Sequence, residues 1–311
     1  MIYALATGAA ALTGIGTAIQ QRVAARAPAG ATLHWRLLGY LLRQRLWLCG
    51  LAVAVVGNLL TGAALGLGSV ALVEPLTVSG LLFAMSVAAM WSRYRIGPRE
   101  WLGALAVVVG LAAFLVAGRP RTGPLPNPPL WQWGLAAGTI GLITWGLVHV
   151  ARTLRRQQEA AMLGLGAGML FGLQAALTST AAHRLFGGGP LAVLLSWTPY
   201  AIVAVAAVGM LLAQSAYKLA PLTVSYPAAT AAEPIAGVAI GVGILGGALR
   251  IEPLAVAVEI VALAMMTTGV WVLGTSRLVE AHHEHRIHLP HHHRDDPTGP
   301  AAPGGPPGRG G

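Results

Sequence analysis

Three glutamates, Glu74, Glu233 and Glu259, lie inside long apolar stretches of this sequence. A charged side chain at the centre of a bilayer costs roughly 2.5–3.5 kcal/mol even on the lenient scale derived from insertion experiments. Such a residue faces the interior of a helix bundle or a water-filled cavity, where a carboxylate can exchange a proton for a bound cation. We therefore predict that the three glutamates line one ion or solute pathway. For Glu74 and Glu259, which fall nearer to the predicted membrane surface, the alternative is that they reach the interface or cap a helix.

Prolines accompany these acids, and a proline inside a membrane helix frees a backbone carbonyl that can bind a cation. Pro75 follows Glu74, Pro234 follows Glu233, and Pro227 lies in the same apolar run as Pro234. We predict helix breaks at the three prolines, with ordinary packed kinks as the alternative. The polar residues that we add to the predicted pathway are Asn58, Ser225 and Tyr226. For Asn58, the alternative is a structural hydrogen bond to a neighbouring helix. Other polar residues lie near the ends of apolar runs, and we predict ordinary hydrogen-bonding roles for them: Gln20, Gln174, Gln214 and His149.

The C-terminal segment carries a second set of potential ligands, which consists of histidines. They are His282, His283, His285, His288, His291, His292 and His293. Imidazole suits zinc, nickel, copper or cobalt better than magnesium. We predict either a flexible cytoplasmic metal buffer or a basic segment attracted to anionic lipid headgroups. The last residues, 297–311, are nearly all proline, glycine and alanine, so they are predicted to be disordered.

Amino-acid composition places these residues in a membrane protein. The 311 residues are 55% hydrophobic and only 10% charged, whereas soluble domains carry about a quarter charged residues. The net charge of +10 does not indicate nucleic-acid binding, because the basic residues fall in short segments between apolar runs. No phosphate-binding loop, zinc-protease motif or nucleophile elbow occurs in the sequence, so we predict neither enzymatic activity nor a cofactor.

Nine nearly charge-free runs approach the length of about 20 residues that a helix needs to cross the hydrocarbon core. They are residues 2–20, 46–67, 70–91, 101–116, 131–150, 160–182, 191–213, 219–245 and 253–273. Within the sixth run, Gly164, Gly168 and Gly172 recur every four residues, which predicts a close helix contact. The sequence thus predicts an all-α integral membrane protein with about nine transmembrane helices.

The arginines are distributed unevenly among the loops, and this predicts the orientation. Loops with three or more arginines follow the first, third, fifth and ninth runs. The positive-inside rule places those loops in the cytoplasm. The N-terminus is then outside, the tail is cytoplasmic, and the protein lies in the cytoplasmic membrane.

A segment of the chain recurs 152 residues later. Residues 52–75 align without a gap with residues 204–227, and ten of the 24 pairs are identical, including Gly57 with Gly209 and Pro75 with Pro227. Gly14 pairs less closely with Gly172. Equivalent runs are five helices apart, so the second copy enters the bilayer in the opposite sense. We predict a first repeat at 1–150 with five helices, a second at 151–276 with four, and a tail at 277–311.

Two segments, residues 66–76 and 217–227, resemble the drug/metabolite transporter superfamily, including its EamA-like permeases, and are most similar to the nine-span NIPA-type magnesium transporters. The resemblance implies a secondary transporter with alternating access at a midplane site between the repeats, and magnesium as one substrate. An exporter of organic metabolites or drugs is the alternative within transport. A non-transporting membrane scaffold is the alternative outside it. The expected partners are a small solute or cation, the lipid bilayer and a second copy in a homodimer, but no nucleic acid.

Overall fold

The computed structural model describes residues 2–28, 30–67, 73, 76–91, 96–118, 128–248, 250 and 252–275, and the regular elements in these ranges are helices. In chain order they are α1 Ile2–Ala24, α2 Trp35–Leu41, α3 Arg45–Leu67, α4 Gly80–Trp91, α5 Pro98–Gly118, α6 Leu130–Ala151, α7 Arg156–Leu194, α8 Thr198–Leu219, α9 Leu222–Gly243 and α10 Pro253–Gly274. Seven of these helices, α1, α3, α5, α6, α7, α8 and α10, are long and apolar enough to cross a membrane. The chain is a multi-pass α-helical membrane protein.

Most predicted runs match a helix to within a few residues, but the seventh run, 191–213, is wrong at both ends. Gly189 has a φ of 76°, which favours glycine, and Pro190 follows it, so α7 bends there and continues to Leu194. Helix α8 begins only at Thr198, with Pro199 in its first turn. Proline is favoured there because its missing N–H would have no partner in the helix. Pro199 is the sequence signal that we missed.

The short helix α2 was not predicted from the sequence. It lies in the loop between α1 and α3, and it buries Leu37 and Leu41 completely. These two leucines are four residues apart and therefore share one face of the helix. The loop is thus held against the bundle by an amphipathic turn.

Helix α9 is continuous through both of its prolines, so the predicted breaks at Pro227 and Pro234 are wrong. Proline is tolerated inside a membrane helix where neighbouring helices pack against it. In a regular helix these two prolines leave the carbonyls of Thr223 and Thr230 without their usual donors. The third proline, Pro75, lies outside the described residues.

Helices α7 and α9 pack closely and run in the same direction. A Cβ atom added to Gly164 would lie 2.5 Å from the Ser225 carbonyl oxygen, and one added to Gly172 would lie 2.5 Å from the Glu233 carbonyl oxygen. Gly168 faces Ala229 between them. The predicted close contact along this glycine stripe is confirmed.

Two other helix pairs run antiparallel. Gly16 of α1 faces Gly50 at the start of α3, whereas Gly57 further along α3 faces the earlier residue Ala9. In the pair α5 and α10, a Cβ atom on Gly110 would lie 2.8 Å from the carbonyl oxygen of Ala262. The start of α5 likewise faces the end of α10. Small residues at these crossings allow the backbones to approach one another.

Candidate functional site

The candidate site is the polar face of α9. Tyr226, Thr230 and Glu233 are spaced by four and three residues, so their side chains project from one side of the helix. Glu233 is exposed, although it lies at the middle of α9. The neighbouring side of the helix, which carries Ala229 and Ala236, packs against α7. The structure therefore directs the one acid of α9 away from the tight α7 contact.

Side chains from two other helices face this polar stripe. The hydroxyl of Thr17 in α1 lies near the Tyr226 hydroxyl, as does that of Thr230. Tyr217 of α8 is buried and lies close enough to Tyr226 and Glu233 to interact with both electrostatically. Tyr226 also packs against both of the larger hydrophobic clusters. The site thus joins α1, α8 and α9 at the boundary between two parts of the core.

Ser225 does not lie on this polar face, so the structure does not bring it together with Tyr226, and its place in the pathway stays a prediction. It is fully buried, and its backbone carbonyl faces Gly164 in the α7 contact. Its hydroxyl oxygen has no hydrogen-bond partner among the described residues. One residue along a helix turns the side chain by about 100°, and this separates Ser225 from Tyr226.

Glu259 has a different neighbourhood from Glu233. It is half-buried on α10, one turn from Ala255 and Ala262, which are buried on the same side of the helix. The Ala262 end of that stripe packs against Gly110 of α5. Its Oε1 atom is buried and finds no hydrogen-bond partner within the described ranges.

Asn58 is exposed at the middle of α3, and among the described residues no hydrogen bond joins its amide to another helix. The adjacent residue, Gly57, makes the contact with α1 instead. The remaining predicted site residues lie outside the described residues: Glu74, Pro75, His282, His283, His285, His288, His291, His292 and His293.

A buried polar network at one end of the bundle connects three helices. The Gln214 amide nitrogen donates to Gln20 Oε1 at 2.8 Å, and the Trp47 indole nitrogen donates to Gln214 Oε1 at 3.2 Å. The hydrogen-bonding roles predicted for Gln20 and Gln214 are confirmed. The role of Trp47 was missed, because a tryptophan near a helix end also suits the membrane interface.

Glu100 is another residue that the sequence reasoning missed. Its side chain is 6% exposed and it lies in the first turn of α5. A carboxylate is stabilised there by the helix dipole and by the free backbone N–H groups. The sequence feature that could have identified Glu100 is its position at the start of an apolar run, three residues after Gly97.

An apolar groove of about 640 Å³ lies between α6, α7, α9 and α10. Ile143, Met169, Ile235 and Met266 are among its lining residues, and the lining includes no charged side chain. The groove is therefore apolar, whereas the face of α9 that carries Glu233 is polar. Within the described ranges, no group of three or more histidine, cysteine, aspartate or glutamate residues is arranged to hold a metal ion.

The chain is similar to a protein of Corynebacterium glutamicum that is described as uncharacterized. The two are 29% identical over 281 residues, which cover 89% of this chain and 96% of the relative. No family model and no solved structure matches the chain. The similarity therefore extends through the membrane helices without adding a description of activity.

Proposed function

We propose that the protein is a secondary transporter that binds a small cation at Glu233 and moves it by alternating access. The observation that carries this proposal is an exposed glutamate at the middle of a membrane-length helix, on a face shared with Tyr226 and Thr230. Ionisable residues at this depth serve substrate and ion pathways, because exposure to lipid would cost several kcal/mol. Carboxylate and hydroxyl oxygens are ligands for hard cations such as magnesium, which the family resemblance also implies.

The proposal includes two inverted repeats of membrane helices, and repeated packing contacts support it. Gly57 of α3 contacts Thr13 of α1, and Gly209 of α8 contacts Phe171 of α7. Gly57 and Gly209 are 152 residues apart, which is the offset of the sequence repeat. Their contact partners, Thr13 and Phe171, are 158 residues apart, so the contact of α1 with α3 corresponds to that of α7 with α8.

A second contact is duplicated in more detail. A Cβ atom on Gly14 would meet the carbonyl oxygen of Gly80 and the backbone nitrogen of Ala84. One on Gly172 would meet the carbonyl oxygen of Glu233 and the backbone nitrogen of Gly237. In both copies a glycine packs between backbone groups four residues apart, so α1 with α4 resembles α7 with α9.

Helix directions support the inversion of one repeat relative to the other. Helix α8 ends beside the end of α1, where Gln214 bonds Gln20, so these two helices run the same way. Helix α3 runs against α1, so α3 and its counterpart α8 point in opposite directions. The counterparts α5 and α10 are also antiparallel. Adding α4 and α9 to the seven helices that are both long and apolar enough to cross a membrane completes the nine proposed spans.

The charges at the two ends of the bundle support an outside N-terminus and a cytoplasmic tail in the cytoplasmic membrane. At the end where α1 finishes, the described basic residues are Arg22, Arg26, Arg36, Arg43, Arg45, Arg99, Arg152, Arg155, Arg156 and Lys218. At the opposite end, within the same ranges, they are Arg184 and Arg250.

The test is flux through the purified protein in liposomes that contain a magnesium-sensitive dye. We expect uptake by the wild type, and its loss in Glu233→Gln with unchanged folding. Glu252→Gln is the matched control, since Glu252 is an exposed partner of Arg250 at 2.9 Å outside the helices. Uptake that survives in Glu233→Gln would contradict the proposed role.

The apolar groove favours a second candidate, the export of an apolar organic solute. Its size is within the range of small-molecule pockets, and its lining is almost entirely hydrocarbon. Export of a hydrophobic fluorescent dye that is blocked by Ile235→Trp but not by Glu233→Gln would support this candidate. Absence of flux for every solute, with wild-type behaviour of both variants in cells, would support the scaffold alternative.

A further inference from the structure

The basic end of the bundle is closed by buried contacts between the two proposed repeats. Gln20 is 5% exposed, Gln214 is fully buried and Trp47 is 3% exposed, and hydrogen bonds join the three side chains. Such bonds matter because an amide left unpaired away from water costs about 1–3 kcal/mol. The pairs link α1 and α3 of the first repeat with α8 of the second.

The last turn of α8 is also tied to the segment that follows α1. The backbone nitrogen of Leu33 donates to the Ser215 hydroxyl at 3.0 Å, and the Lys218 ammonium donates to the Pro28 carbonyl oxygen at 2.5 Å. Ser215 is fully buried. We use the name polar lock for these contacts of Gln20, Trp47, Gln214, Ser215 and Lys218.

Gln20 and Gln214 each have a counterpart in the other repeat, at the opposite end of the bundle, and these two counterparts are not in contact. The offset of 152 relates Gln214 to Gly62 in α3, and the offset of 158 relates Gln20 to Thr178 in α7. Both Gly62 and Thr178 are exposed, and a Cβ atom on Gly62 would have nothing within 4 Å. Among the described residues, no extensive contact joins α3 to α7. Helices α1 and α8 therefore form an interface that their counterparts, α7 and α3, do not form among the described residues.

We infer that the polar lock is the closed gate of this conformation, and that α3 and α7 form the second gate, which is open. The inference rests on the proposed function. It explains why Asn58 is exposed, because Asn58 lies one turn before Gly62 on the same side of α3. When the second gate closes, Asn58 gains the interhelical partner that its amide requires, and Thr178 is the nearest polar side chain by repeat symmetry.

Alternation between two gates requires that closure of one weakens the other. Gln214 is a positioning residue in this scheme, because it bonds side chains of α1 and α3 in the first repeat and does not contact the substrate. Loss of its bonds with Gln20 and Trp47 removes stabilisation from the state in which the basic end is closed. The equilibrium then shifts toward the state in which α3 and α7 meet.

The experiment measures the distance between spin labels at Gly62→Cys and Thr178→Cys in the full-length protein in lipid nanodiscs. The native Cys49 is first replaced by serine. We expect a long distance in this background, and a second population at shorter distance after Gln214→Leu. Trp47→Phe removes one hydrogen-bond donor with little loss of side-chain volume. It is expected to produce the same short-distance population, but a smaller one than Gln214→Leu.

The matched control is Thr180→Val, since Thr180 is buried in α7 but bonds only the Ala176 carbonyl of its own helix. The control is expected to leave the distance distribution unchanged. An unaltered distribution in both Gln214→Leu and Trp47→Phe would overturn the inference. Broadening toward longer distances alone would also overturn it, because that result indicates loosened packing.

Flux measurements keep this inference separate from the proposed function. If Gln214→Leu produces the short distance but no solute is transported, the two gates stand and the transport proposal fails. If flux depends on Glu233 while neither lock variant changes the distance, transport stands and the gate inference fails.

Discussion

Replacement of Gly172 by alanine tests how strictly the α7 contact determines the position of Glu233. The added Cβ atom would lie 2.5 Å from the Glu233 carbonyl oxygen and 2.8 Å from the Gly237 backbone nitrogen. Ordinary van der Waals contact begins at about 3.4 Å, so α9 must move by roughly 0.9 Å at Glu233. Both obstructing atoms belong to backbone, and side-chain rotation cannot relieve the overlap.

Overpacking of this kind costs about 1–3 kcal/mol. We therefore expect Gly172→Ala to lower the free energy of unfolding in mild detergent by that amount, and to reduce flux because the Glu233 backbone moves. The control is Gly138→Ala in α6, where nothing lies within 4 Å of the new Cβ atom. Alanine is about 1 kcal/mol better than glycine in an exposed helix, so this control is expected to be neutral or stabilising. Equal stability of the two variants would refute the packing argument.

Three other predictions concern residues around the site and the tail. Glu259→Gln is expected to retain flux and to raise the free energy of unfolding by about 1 kcal/mol, because it neutralises a carboxyl group with a buried, unpaired oxygen; lost flux at normal stability would assign Glu259 to the pathway. Pro234→Ala supplies an N–H donor for the Thr230 carbonyl, so the melting temperature is expected to stay the same or rise; a lower melting temperature would show that the proline is required for packing. Deletion of residues 277–311 is expected to leave flux and stability unchanged and to abolish zinc binding measured by calorimetry; a full-length chain that binds no zinc would contradict the metal-buffer prediction.

Membrane helices were predictable from the sequence because the cost of burying charge in lipid leaves long apolar runs. The end of α10 and the start of α9, for example, fall within about three residues of the predicted limits. Helix α2 was missed because its apolar residues occupy only two turns and the loop is otherwise basic. The start of α8 was missed because the apolar run continues from the bend at Gly189.

The site was predictable only in part. Glu233 and Tyr226 share a face because of their spacing along one helix, and this can be read from the sequence. The position of Ser225 away from that face was not predictable, because the sequence alone does not reveal which side of α9 packs against α7. The bonds of Gln214 with Gln20 and Trp47 depend on contacts between distant segments, which a single sequence without covarying relatives does not identify.

The most direct test of the central claim is an electrical recording from proteoliposomes on a solid-supported membrane. Rapid addition of magnesium is expected to produce a transient current in the wild type, because the bound cation moves charge through the protein. Glu233→Gln is expected to abolish that current, while Glu252→Gln retains it. A current of equal size in Glu233→Gln, or no current with any small cation in the wild type, would contradict cation transport through Glu233.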